Sequence, residues 1–126
     1  MLGSVLHVAI GGAIGASARY LMGVAILRAL GTTPLPIAIM TANILGSFIM
    51  GVFVVMAAHK GLTHLSPLVM TGLLGGFTTF SAFSLEAVTL YERGEVLLAG
   101  LYIGASVVLS IAGLMAGLGV ARWIYA

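Results

Sequence analysis

Three observations predict an all-α membrane protein with four transmembrane helices, the third broken at mid-membrane. First, 61% of the 126 residues are hydrophobic and only 6% are charged, where a soluble domain carries about 25% charged residues. Second, the apolar residues fall into four runs, each close to the roughly 20 residues needed to cross a bilayer. Third, one of those runs contains Gly75-Gly76-Phe77-Thr78-Thr79; adjacent glycines followed by β-branched threonines make a poor helix interior. A chain with mean hydropathy +1.23 cannot cover a water-facing surface, so its solvent is lipid.

The charged residues are few: Arg19, Arg28, Lys60, Arg93 and Arg122 against Glu86, Glu92 and Glu95. There is no Asp, Gln or Cys, and Asn43 is the only Asn. Without Cys there are no disulfides, thiolate metal sites or cysteine nucleophiles. The net charge is +2, but five scattered cations form no basic patch, so nucleic acid is excluded as a partner.

The first span covers roughly residues 4–27, is rich in glycine and has no basic segment before it, which reads as a retained helix and not a cleaved signal. A loop with Pro34 and Pro36 leads into the second span, roughly 36–58, and His59 to Leu65 leads into the third, roughly 65–91. Glu92-Arg93-Gly94-Glu95 then turns the chain into the fourth, roughly 96–122. No linker or internal repeat interrupts them, so residues 1–126 read as one transmembrane domain. Gly11/Gly15, Gly72/Gly76, Gly100/Gly104 and Gly113/Gly117 each place small surfaces on one helix face, which suits close packing.

Orientation follows the Lys/Arg bias between the two sides. Lys60 and Arg122 fall on one side, Arg28 and Arg93 on the other. This balance leaves two readings: Arg19 or the lipid decides, or copies insert both ways and pair as an antiparallel dual-topology homodimer.

Polar side chains in lipid are costly and mark function. Asn43 lies mid-span with Ser47 one turn on, on the same face. It reads either as interhelical glue or as an uncharged ligand. The Gly75–Thr78 stretch reads either as a kink or as a break whose freed carbonyls face protein or water. Phe80 and Phe83 share a face and read either as packing or lipid-facing rings or, interleaved with Thr79, Ser81 and Ser84, as part of a polar path. Tyr102, Ser106 and Ser110 make a hydroxyl stripe on the fourth span. Arg19 either snorkels to the interface beside Tyr20 or stands as a fixed cation at a vestibule. His7, His59 and His64 sit near span ends without metal-ligand spacing, and no Ser has a His beside it. An enzyme is therefore not expected. A narrow path of amide, hydroxyls and positive aromatic edges suits an anion that must pass without sticking.

The segments Gly11-Gly12-Ala13-Ile14-Gly15-Ala16-Ser17-Ala18-Arg19-Tyr20, Asn43 with Gly46-Ser47, and Gly75-Gly76-Phe77-Thr78-Thr79-Phe80-Ser81-Ala82-Phe83-Ser84 together resemble the Fluc (CrcB) fluoride-channel family. The resemblance implies an antiparallel dual-topology homodimer with two pores, a multi-pass protein of the bacterial inner (plasma) membrane that exports F⁻ passively. By that likeness Asn43, Phe80, Phe83 and Ser81 line the pores, and Tyr102, Ser106 and Ser110 form a polar track. Gly75 and Thr78 would offer backbone carbonyls from both subunits to a central structural Na⁺, and Arg19 would stand at the cytoplasmic vestibule. One departure is Ile39, where family members often carry Thr one turn before the pore Asn. Small multidrug transporters share the outline, but they rely on an acid in the first span, and here no acid precedes Glu86.

Overall fold

A computed structural model describes all residues from Met1 to Ala126. The chain is all-helical: α1 (Leu2–Leu30), α2 (Ile37–Lys60), a 3-10 turn (Thr63–Leu65), a π-helical segment (Pro67–Leu74), α3 (Gly75–Phe77), α4 (Phe80–Glu92) and α5 (Val96–Ile124). The segments from Thr63 to Glu92 together make the third of four spans long and apolar enough to cross a membrane. Helices α1, α2 and α5 run a few residues past the apolar stretches, taking in Arg28, His59 and Lys60, whose long or amphipathic side chains suit the interface.

Two close seams organise the bundle. On the first, α1 lies against the first half of the third span through Gly11 and Gly15 on one side and Gly72 and Gly76 on the other. A methyl group on Gly72 would sit 2.8 Å from the Val8 carbonyl oxygen and 3.0 Å from the Gly11 Cα. Only hydrogen at these positions lets the two backbones meet, as small residues do between membrane helices. On the second seam, α2 lies along α5, with Gly51, Gly113 and Gly117 at the crossing. The two helices end together, where the His59 ring stacks on Tyr125 at 4.7 Å between centroids. Gly100 and Gly104 have no atom of the chain near them, so that pair faces outward.

Only 17 residues are buried, so most of the apolar surface must meet lipid or a second subunit. The largest buried cluster holds Phe83, Ala87, Leu90, Ala99 and Tyr102, with Leu35, Ile39, Met40 and Leu98 packed against it. Ile39 is thus a packing residue at the edge of this cluster. The cluster fastens α4 to α5 and to the start of α2, which fixes the second half of the third span.

Candidate functional site

The third span breaks at Thr78 and Thr79. Both have extended backbone, with φ/ψ of −86°/156° and −151°/125°. The glycines before them stay helical; Gly75 has φ −63° and ψ −36°. The break thus falls at the threonines, whose branched Cβ favours extended conformations, while Gly72 and Gly76 serve the seam with α1. Upstream, the Gly75 amide reaches back to the Met70 carbonyl, the wider turn of a π-helix.

Interrupting a helix in lipid bares backbone groups, and each bared group needs a partner. Asn43 supplies two. Its Oδ1 accepts from the Thr79 amide at 2.8 Å, and its Nδ2 donates to the Thr79 carbonyl at 3.1 Å. The side-chain amide therefore pairs with Thr79 as a neighbouring strand residue would. Gly46, on the same helix, leaves room for the Thr78 methyl. Thr79 also caps α4, its Oγ1 accepting from the Ala82 amide at 3.2 Å. Thr78 Oγ1 donates to the Leu74 carbonyl at 2.9 Å, closing the end of the first half. From the other side, Arg19 Nε donates to the Gly76 carbonyl at 3.3 Å.

Among the carbonyls of the break, those of Gly75 and Thr78 lose their helical donors to these side chains. The Thr79 amide that would bond Gly75 goes to Asn43, and the Ala82 amide that would bond Thr78 goes to Thr79 Oγ1. Gly75 is exposed on the surface of the chain. No group of three or more His, Cys, Asp or Glu is placed to hold a metal; the oxygens on offer are carbonyls.

A cleft of about 340 Å³ opens beside the break. It is lined by Asn43, Ser47, Thr79, Phe80, Phe83, Ser106 and Ser110 together with Met50, Val107 and other apolar neighbours. The clamp fixes what Asn43 shows to it. Its Oδ1 already accepts from the Thr79 amide and one of the two Nδ2 hydrogens is spent on the Thr79 carbonyl, so the second hydrogen remains as a donor. Phe80 and Phe83 meet edge to face, with centroids 5.5 Å apart and planes at 62°. Phe83 is buried, whereas Phe80 is 78% exposed.

The structure thus brings Asn43, Phe80, Phe83, Ser106 and Ser110 to one cleft and leaves three of the expected residues outside it. Tyr102 is fully buried, and its hydroxyl donates to Glu86 at 3.0 Å. Four residues along a helix overshoot a full turn by roughly 40°, so the stripe drifts: Ser106 and Ser110 reach the cleft, and Tyr102 turns toward α4. Ser106 Oγ is buried with no hydrogen-bond partner in the chain. Ser81 is exposed, its Oγ 3.3 Å from Thr79 Oγ1. Arg19 is bound to Gly76. Sequence reasoning missed Thr79, the residue on which the break is built. The signal was present in Thr79-Phe80-Ser81-Ala82, a hydroxyl three residues before the amide it caps.

A sequence model of the family described as "CrcB-like protein, Camphor Resistance (CrcB)" matches residues 6–118. The chain is 68% identical to a protein of Ruegeria sp. (strain TM1040) over 124 residues, 98% of both chains, and that protein is named "Fluoride-specific ion channel FluC". Proteins of the same name in Roseobacter denitrificans and Cereibacter sphaeroides (strain ATCC 17029 / ATH 2.4.9) are 68% and 59% identical, over 97% of this chain in both cases. With nearly its whole length matched in this way, and with four helices fit to span a membrane, the chain belongs to the CrcB-like family.

Proposed function

We propose that this chain is a fluoride-specific ion channel of the plasma membrane, letting F⁻ leave the cytoplasm passively. The observation that carries the reading is the cleft beside the break, which gathers the Asn43 amide, the hydroxyls of Ser106 and Ser110 and the rings of Phe80 and Phe83. The relatives' name supplies the ion. Small anions are the costliest to strip of water, so a path for F⁻ must offer close donors in return. Asn43 Nδ2 and the hydroxyls of Ser106 and Ser110 are such donors. The positive edges of Phe80 and Phe83 attract the anion without a full charge that would trap it. Ser106, buried without a partner of its own, gives the ion its site deepest in the bundle. Ser81 lies at the exposed end of the same segment. Tyr102 acts by holding Glu86, which keeps that carboxylate engaged and off the anion's route.

The working unit in this proposal is an antiparallel dual-topology homodimer with two pores. The even split of Lys and Arg supports insertion both ways, and the 78% exposure of Phe80 supports a partner subunit completing each pore wall. A structural Na⁺ fits the same arrangement. Gly75 and Thr78 would hold it by their carbonyls, whose helical donors go to Asn43 and to Thr79 Oγ1, matched by the same pair from the partner. Such a cation would neutralise converging carbonyl dipoles at the centre of the dimer. Arg19 adds positive charge on the cytoplasmic side. The first-span acid of a small multidrug transporter is missing, and Glu86 is bonded to Tyr102.

The functional test is survival. Bacterial cells lacking their own fluoride exporter should grow in millimolar fluoride when they express this protein. Failure to grow, with the protein present in the membrane, would remove the export role.

A further inference from the structure

We propose that Arg19 is a positioning residue for the break: through its Nε it caps the Gly76 carbonyl, and this bond, more than its charge, is what conduction requires. The geometry begins with α1. Gly11, Gly15 and Arg19 follow one another at four-residue spacing, so they share a face. Gly15 packs so tightly on the third span that a methyl there would lie 2.9 Å from the Phe77 amide. One turn on, Arg19 meets the chain where it ends α3. In an unbroken helix the Gly76 carbonyl would accept from the amide of Phe80, which now begins α4 beyond the extended threonines. Arg19 Nε stands in for that lost donor at 3.3 Å. Gly76 lies between Gly75 and Thr78, whose carbonyls stay without helical donors. By taking the Gly76 carbonyl, Arg19 ties the break to α1 next to the Gly75 carbonyl, whose own helical donor goes to Asn43. Asn43 does the same for Thr79 from α2, so the break is held from both sides.

The bonding atom decides the test. Nε is the fourth side-chain atom beyond Cα, and in Gln that place is taken by Nε2, an uncharged N–H donor. Lys keeps the charge but carries it one bond further out, as a compact and strongly hydrated ammonium. Met keeps the length and loses both. The proposal rests on the fluoride-channel reading, and the experiment separates the two. Wild-type protein, Arg19→Gln, Arg19→Lys and Arg19→Met are reconstituted in liposomes after size-exclusion selection of material eluting as wild type. F⁻ efflux is then followed at low and high ionic strength. The expected order is Arg19→Gln near wild type, with Arg19→Lys and Arg19→Met slower by on the order of tenfold, independent of salt. Efflux retained by Lys and lost by Gln, with a deficit that changes with salt, would mean that the charge acts through its field and would overturn the proposal. Equal efflux from all three variants would overturn it as well. A silent wild type would instead overturn the channel reading.

Discussion

Replacing Asn43 by Leu removes both bonds that hold Thr79, and the cost can be worked from the structure. The Thr79 amide and carbonyl lose partners at 2.8 and 3.1 Å. Each unpartnered buried backbone group costs about 1–3 kcal/mol. Water in the adjoining cleft can reach one side, so the lower half of that range applies, about 2–4 kcal/mol for the pair. At about 1.4 kcal/mol per factor of ten, the broken conformation loses roughly 30- to 700-fold against alternatives. F⁻ efflux from liposomes, read with a fluoride electrode, should fall at least about tenfold for Asn43→Leu. Asn43→Asp sharpens the point. Its carboxylate still accepts from the Thr79 amide but sets a second acceptor against the Thr79 carbonyl, and it repels the anion. Protonated, the same group regains a donor and pairs with Thr79 as the amide does. Efflux by Asn43→Asp should therefore be low at neutral pH and recover as the pH falls, against protein-free vesicles as control. Unchanged efflux by Asn43→Leu would refute the clamp.

Phe80→Ile and Phe83→Ile keep bulk but lose the ring edge, and efflux should fall about tenfold or more for at least one of them while dimers still form; normal efflux by both would make the pair packing alone. Reporters for each compartment fused to the C-terminus should both give signal, and a single-sided signal would sink the antiparallel dimer. Replacing Na⁺ on both sides by a large organic cation should slowly silence efflux, with Na⁺ restoring it; indifference to Na⁺ would leave the Gly75 and Thr78 carbonyls without that role.

The four helices were legible because lipid imposes them: apolar runs of the right length, separated by Pro, Gly and charge, admit little else. The break was legible as a region and displaced in detail. Gly75 and Gly76 read as the weak point on intrinsic propensity, yet both stay helical, Gly76 against α1, and the extended residues are Thr78 and Thr79. The π-helical turns at Pro67–Leu74 had no sequence signal. At the site, Asn43, Phe80, Phe83, Ser106 and Ser110 were found by being polar or aromatic at mid-membrane, and the structure gathers them. Tyr102 and Arg19 were chemically conspicuous in the same way. Their bonds go to Glu86 and Gly76, contacts set by helix rotation and packing that a one-dimensional pattern does not encode. Asn43 shows the limit most clearly. Glue and ligand were open alternatives; the structure shows the glue, in two bonds to Thr79, and leaves one Nδ2 hydrogen beside the cleft.

The central claim is a path that returns the hydration energy of F⁻ and withholds it from a larger anion. Liposomes containing the purified protein and loaded with equal F⁻ and Cl⁻ test it directly, with both ions followed during one efflux run under a potassium ionophore. The account predicts rapid release of F⁻ while Cl⁻ stays at the level of protein-free vesicles. Comparable release of both would contradict it and leave a generic anion pore.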